Sequence, residues 1–119
     1  MSNSELDFSS IAEIDRLVHE PARLMVMASL YVVESADYTY LMRQADITWG
    51  NLSAHISKLE EAGYIDIEKT YRGKRPYTLL RMSQKGRIVF KEYVRRMKGI
   101  IDYLDVEPGS DVGTNNARR

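Results

Sequence analysis

The feature that most constrains this chain is a change of hydrophobic period at Gly63. Before it, the stretch "TWGNLSAHISKLEEAG" sets Leu52, Ile56 and Leu59 on one side at helical spacing. After it, "YIDIEK" alternates Ile65 and Ile67 against Asp66 and Glu68, the period of a half-buried strand. Thr48 is a good N-cap for the helix, which runs to about Ala62, and Gly63 stands where a left-handed C-terminal cap belongs. "YTLLRM", Tyr77 to Met82, supplies a second strand. Between the strands, "YRGKRP" contains Gly73 and Pro76, so the pair is expected to form a hairpin with an exposed tip.

The flanking segments read as helices. Ser10 and Glu13 make a capping-box pair, with Ile11, Ile14 and Val18 on one face of a short helix over Ser10 to Val18. Pro21 opens a second helix with Leu24, Met27, Ala28 and Tyr31 on one stripe, widened by Met25, Leu30 and Val32 into a heavily buried element. Thr39 to Ala45 reads as a short helix with Leu41, Met42 and Ala45 turned inward, followed by a tight connection at Asp46-Ile47. Ser83 caps a long final helix to about Leu104, and Pro108-Gly109 ends regular structure. The expected organisation is a flexible N-terminus over 1–9, one domain over 10–104 and a disordered tail over 105–119. Three helices followed by a hairpin and a long helix make a mainly α fold with a small β-hairpin (α+β), the plan of a winged helix-turn-helix with a long C-terminal helix.

Composition narrows the function classes. A chain of 119 residues is one domain by length. There is no cysteine, which removes disulfides, thiolate catalysis and cysteine metal sites together. The polar, acidic start "MSNSELDFSS" is not a signal peptide and no apolar run is long enough to span a bilayer, so the expected compartment is the cytoplasm, with no membrane partner. His19 and His55 lie in different elements without catalytic neighbours, and no glycine-rich phosphate loop is present; no enzyme, cofactor or metal is expected. Formal net charge is zero, yet the charge is unevenly spread. Residues 1–68 carry four basic and twelve acidic side chains, whereas residues 69–98 carry eleven basic side chains and one acid, Glu92. The distribution points to a polyanionic partner where the sum does not, although a solvated helix face and a charged hairpin tip would also account for it.

With Leu52 at the centre of the buried stripe, Gly50, Ala54, Ser57 and Glu61 face outward and Asn51, Ser53 and Lys58 flank them. A small, polar helix face permits close approach to base edges, and the helix N-terminus suits a phosphate. The candidate DNA-binding residues of this helix are therefore Thr48, Trp49, Gly50, Asn51, Ser53, Ala54, Ser57 and Lys58. Trp49 can pack on Tyr64, on the preceding helix or on DNA, and His55 falls beside the apolar stripe as a packed or rim residue. On the hairpin the candidates are Lys69, Tyr71, Arg72, Gly73, Lys74, Arg75 and Thr78, with four cations and no acid between positions 69 and 76.

The stretches "HEPARLMVMASL" and "YTYLMRQADITWGNLSAHISKLEEAGYIDIEKTYRGKRPYTLLRMSQKGR" resemble the winged-helix transcriptional regulators of the MarR/ArsR-like group. The match lies in Thr48, Gly50, Asn51, Leu52, Ser53, His55, Lys58, Leu59, Glu60, Gly63 and Tyr64, then Gly73, Arg75, Pro76 and Thr78, and it extends from about Arg16 to Leu104. The resemblance implies a homodimer binding a near-palindromic, inverted-repeat operator in double-stranded DNA. ArsR-type metal sensing does not carry over to a chain with no cysteine and two histidines.

In the final helix Phe90, Val94, Met97, Ile101 and Leu104 alternate spacings of four and three, a heptad-like seam expected to pair with a second subunit alongside Ile11, Ile14 and Val18. Packing of the same stripe within the chain is the other reading. A small-molecule effector between the second and final helices would meet Met25, Met27, Tyr31 and Met97, residue types that more often form plain core. The alternative to a sequence-specific DNA-binding regulator is a winged-helix module that binds protein, which would have no need of Arg72–Arg75 beside a small polar helix face.

Overall fold

The computed structural model describes residues 15–107 and Gly109. The expectations placed on Ser10 to Ile14, including Ile11 and Ile14 as interface residues, and those for 1–9 and 110–119 lie outside the described residues. Of the expected first helix, Arg16 to Val18 form a turn instead. Asp15 is the cause: its Oδ1 accepts the amides of Leu17 (2.9 Å) and Val18 (3.1 Å), and its carbonyl accepts that of His19 (2.9 Å).

The described residues form six elements in chain order: α1 (Pro21–Val32), α2 (Tyr38–Ala45), α3 (Trp49–Glu61), β1 (Ile65–Arg72), β2 (Arg75–Met82) and α4 (Gln84–Leu104). Every helix begins at a side-chain cap. Glu20 accepts the amide of Arg23, Asp37 that of Tyr40, Thr48 that of Asn51 and Ser83 that of Gly86. Asp46 closes α2 in the left-handed region at φ 56°, and Gly63 follows α3 at φ 82°, where only glycine is unstrained. Among the described residues no helix is long and apolar enough to cross a membrane.

The core gathers Val26, Met27 and Leu30 from α1, Leu41 from α2, Leu52, Ile56 and Leu59 from α3, Ile65 and Leu80 from the hairpin, and Phe90 and Tyr93 from α4. In α1 the buried stripe is rotated from the expected one. Val26 and Ser29 are inside, while Met25 faces solvent and Val32 is 76% exposed. The helix is apolar on nearly all sides, so periodicity alone did not select its inner face. Met25 faces solvent and Met27 is sealed in the core, so these two side chains do not line a common pocket and Met27 follows the plain-core reading.

The hairpin is pinned at its base. Ser83 Oγ accepts the amide of Gly86 (2.9 Å) and donates to the Gly63 carbonyl (2.5 Å), while the Ser83 amide donates to the Tyr64 carbonyl (3.0 Å). One hydroxyl thus starts α4 and ties it to the end of α3. Gly86 is what lets the two backbones meet, because a Cβ there would run into the Tyr64 carbonyl. A third contact comes from the loop after α1, where Ala36 exchanges two backbone hydrogen bonds with Leu80 (3.0 and 2.8 Å) and adds a one-residue bridge to the outer edge of β2.

Along α4 the heptad-like stripe divides. Phe90 is buried against Tyr31 at 5.2 Å between ring centroids, and Val18 is fully buried. Both were expected at a subunit interface. The chain's own core takes them, because the stripe faces α1 for the first half of the helix. Beyond it Val94 is exposed, Met97 half-buried, and Ile101 and Leu104 are 58% and 66% exposed.

Two outcomes follow from the packing at the hairpin base. Gly86→Ala is expected to lower stability by about 1–3 kcal/mol, measured by denaturant unfolding, since neither backbone can yield cheaply. The Tyr64 hydroxyl donates to Asp15 Oδ2 (2.5 Å), and burial together with that carboxylate pushes the phenol up to about 12. The folded state therefore holds this proton more tightly than the unfolded chain, and the stabilisation is complete below pH 10 and lost as pH rises towards 12. The stability difference between wild type and Tyr64→Phe should accordingly shrink over that interval.

Candidate nucleic-acid interface

α3 is fastened by Leu52, Ile56 and Leu59, which leaves Gly50, Asn51, Ala54, Ser57 and Lys58 exposed and Ser53 half-buried. Thr48 Oγ1 accepts the Asn51 amide at 3.2 Å. The other first-turn amides lack an acceptor within the helix, so its positive end faces outward.

Trp49 rests on the preceding helix, not on Tyr64. Its ring stacks on Tyr38, the first residue of α2, at 5.8 Å and 27°, and it remains 60% exposed. His55 is a rim residue tied inward. The Arg23 guanidinium lies 3.2 Å from His55 Nδ1, while Arg23 Nε donates to the Leu17 carbonyl (2.7 Å). Glu20 completes the group. The Arg23 amide holds its carboxyl below the usual range, with smaller help from the charges of His55 and Arg23 and against the opposing effect of burial.

The hairpin turns more tightly than its sequence implies. Arg72 pairs directly with Arg75, so the loop is Gly73-Lys74 alone, and β2 starts at Arg75 instead of Tyr77. Gly73 has φ 66° and Lys74 does not share a positive φ, the pattern of a II′ turn. Pro76 is accommodated within the strand because its pair with Tyr71 is the one next to the closing pair, where no ladder amide is required.

Lys69, Tyr71, Arg72, Gly73, Lys74 and Arg75 are all exposed and Thr78 is half-buried. The block of eleven cations over 69–98 is not one surface. Arg81 pairs with Glu68 (2.6 Å), Arg95 and Arg96 share Glu92 (2.6 and 2.8 Å), Lys98 pairs with Asp102 (3.1 Å), and Arg87 and Lys85 lie over the Tyr31 and Tyr64 rings. On the hairpin itself Arg72 turns back onto Tyr77, with its Nη2 donating to the phenol at 2.7 Å. Among the described residues the side chains of Lys69, Lys74 and Arg75 have no hydrogen-bond or ion-pair partner.

Between α3 and the hairpin runs an open groove of about 860 Å³, with Trp49, Ser53 and Ser57 on one wall, Lys69 and Thr78 on the other, and Glu60 as an acid within it. Of the fifteen candidate residues, Trp49, Ser53, Ser57, Lys69 and Thr78 line this concavity, whereas Thr48, Gly50, Asn51, Ala54 and Lys58 and the hairpin tip from Tyr71 to Arg75 do not. Asp37, Tyr38 and Tyr77 also line it, and sequence reasoning did not single them out as site residues. The available signal was the capping position of Asp37 ahead of a helical stripe.

A helix-turn-helix with an adjoining hairpin and a groove between them is a winged helix, and the comparisons agree. Residues 22–101 match the winged helix DNA-binding domain family, and the chain belongs to it. An uncharacterized protein of Methanocaldococcus jannaschii is 33% identical over 79 residues, which cover 66% of this chain and 86% of that protein. Among solved structures, a transcriptional regulator homologue from Pyrococcus horikoshii OT3 superposes with a TM-score of 0.77 at 29% identity, covering 82% of this chain and 99% of that one. A proposed MarR-family regulator from Enterococcus faecalis V583 shares the fold with a TM-score of 0.70 at 17% identity, over 84% and 90% of the two chains.

Proposed function

We propose that this protein is a transcriptional regulator that binds double-stranded DNA sequence-specifically, as a homodimer on an inverted-repeat operator. The observation that carries the reading is the groove between α3 and the hairpin, with Ser53 and Ser57 on one wall and Lys69 on the other, and the exposed Lys74 and Arg75 at the hairpin tip. In this reading α3 enters the major groove. Asn51, Ser53, Ser57 and Lys58 offer hydrogen bonds to base edges and phosphates, and Gly50 and Ala54 allow close approach. Lys69, Lys74 and Arg75 neutralise phosphates of the flanking backbone or adjacent minor groove, with Thr78 on the groove wall and Tyr71 beside the tip. Trp49 meets the sugar-phosphate wall on the hairpin side. The kinship with a transcriptional regulator homologue at 29% identity supports the regulatory role.

The homodimer rests on the second half of α4. Val94, Ile101 and Leu104 carry the apolar stripe beyond the subunit core, and a second copy is the natural cover for them. A twofold axis there would place two α3 helices for successive major grooves, about 34 Å apart.

Selection of bound fragments from random duplex DNA should enrich inverted repeats. Enrichment of single half-sites would count against the dimer, and no enrichment would remove the DNA reading. Affinity for the selected site should fall linearly in a log–log plot against salt, and Lys74→Ala and Arg75→Ala should each reduce that slope by about two, one phosphate contact being lost from each subunit. Gly50 provides a separate check. No atom lies within 4 Å of a Cβ placed there, so Gly50→Ala should stabilise the free protein, by about 1 kcal/mol at most, from helix propensity alone. The same substitution should weaken operator binding; unchanged binding would mean that this face of α3 meets only solvent.

A further inference from the structure

We infer that Asp37, Tyr77 and Arg72 form a latch that sets the pitch of the hairpin against α3, and that Arg72 acts inside the chain and not on phosphate. The inference rests on the DNA-binding reading for its functional consequence, though the latch itself is a property of the free protein.

The geometry is specific. Asp37 divides its carboxylate between two elements, Oδ1 accepting the Tyr40 amide (2.9 Å) at the start of α2 and Oδ2 accepting from the Tyr77 hydroxyl (3.1 Å) on β2. The same Tyr77 hydroxyl accepts from Arg72 Nη2 (2.7 Å), and the Arg72 guanidinium lies 4.1 Å from the centroid of the Tyr77 ring. The phenol is thereby used as donor and acceptor at once, and the charges of Arg72 and Asp37 are joined through a neutral group. Its neighbour Ala36 bonds to Leu80, so the segment before α2 grips β2 at two points.

This grip matters because a two-stranded ribbon has little stiffness of its own. The base of the hairpin is held at Ser83, but its outer half would be free to tilt towards or away from α3 without a second anchor. The latch supplies that anchor at the level of Tyr77, on the wall of the groove. A guanidinium stacked on a ring and bonded to its hydroxyl is also withdrawn from the counterion exchange that lysines and arginines undergo on phosphate. Arg72 is therefore a positioning residue, unlike Lys74 and Arg75 one and two residues away from Gly73.

The test compares Arg72→Ala, Arg72→Lys, Tyr77→Phe and Arg75→Ala, measuring both amide hydrogen exchange of the hairpin in the free protein and the salt dependence of operator binding. Tyr77→Phe removes only the hydroxyl and keeps the ring, so it isolates the latch from gross unfolding. Exchange at the outer strand amides should rise in Tyr77→Phe and Arg72→Ala and stay unchanged in Arg75→Ala. Binding should weaken by about fivefold in Arg72→Ala and in Tyr77→Phe, with the salt slope kept, and the double variant should be no weaker than either single one. Arg72→Lys, which keeps the charge but not the planar stack, should behave as Arg72→Ala. A salt slope reduced by about two in Arg72→Ala, one contact from each subunit, and restored in Arg72→Lys would overturn the assignment, as would unchanged exchange in Tyr77→Phe. If the wild type binds no duplex, the DNA reading fails on its own and the exchange comparison still decides the latch.

Discussion

The structure turns on the meeting of Gly63-Tyr64 with Ser83 and Gly86. The end of α3, both ends of the hairpin and the start of α4 converge there, held by the Ser83 hydroxyl and two backbone carbonyls. The contact needs a glycine on each side for different reasons. Gly63 supplies a left-handed residue to end the helix, and Gly86 supplies the absence of a side chain so that α4 can lie against the Tyr64 carbonyl. The end of α3 and the start of α4 are thereby joined directly at this junction, so the element that faces the groove and the element whose apolar stripe outruns the core meet at one point.

Features that depend on neighbours in sequence were legible before the structure. The period change at Gly63, the caps at Thr48 and Ser83, and the inward set Leu52, Ile56 and Leu59 all follow from rules that span three or four residues. What was hidden involves partners far apart in the chain. Tyr77 and Asp37 are separated by 40 positions, and nothing local marks Asp37 as more than a helix cap. The bridge from Ala36 to Leu80 is equally invisible, since one residue of strand has no period. Val18 and Phe90 were legible as apolar but not as belonging to the subunit core, because a stripe states that something must cover it and not what does.

Charge followed the same rule. The cations of positions 69–98 look like one basic tract in sequence, but folding distributes them among unrelated tasks. Arg81, Arg95, Arg96 and Lys98 are answered by carboxylates on the same face, and Arg87 and Lys85 lie over aromatic rings. Exposed pairs of this kind add little stability, yet they remove positive field from the parts of the surface away from the groove. Lys69, Lys74 and Arg75 are left as the open positive charge of the hairpin. A formally neutral chain can therefore present unpaired positive charge on one wall of the groove, at Lys69, and at the hairpin tip, at Lys74 and Arg75, which can attract a polyanion locally.

Trp49 has a consequence of an optical kind. It is the single tryptophan of the chain, and it stands at the mouth of the groove, stacked on Tyr38 and open to solvent on its other face. An indole so placed changes its emission when the water against it is displaced. The intrinsic fluorescence of the unlabelled protein therefore reports on occupancy of the groove itself, undiluted by signal from any other indole.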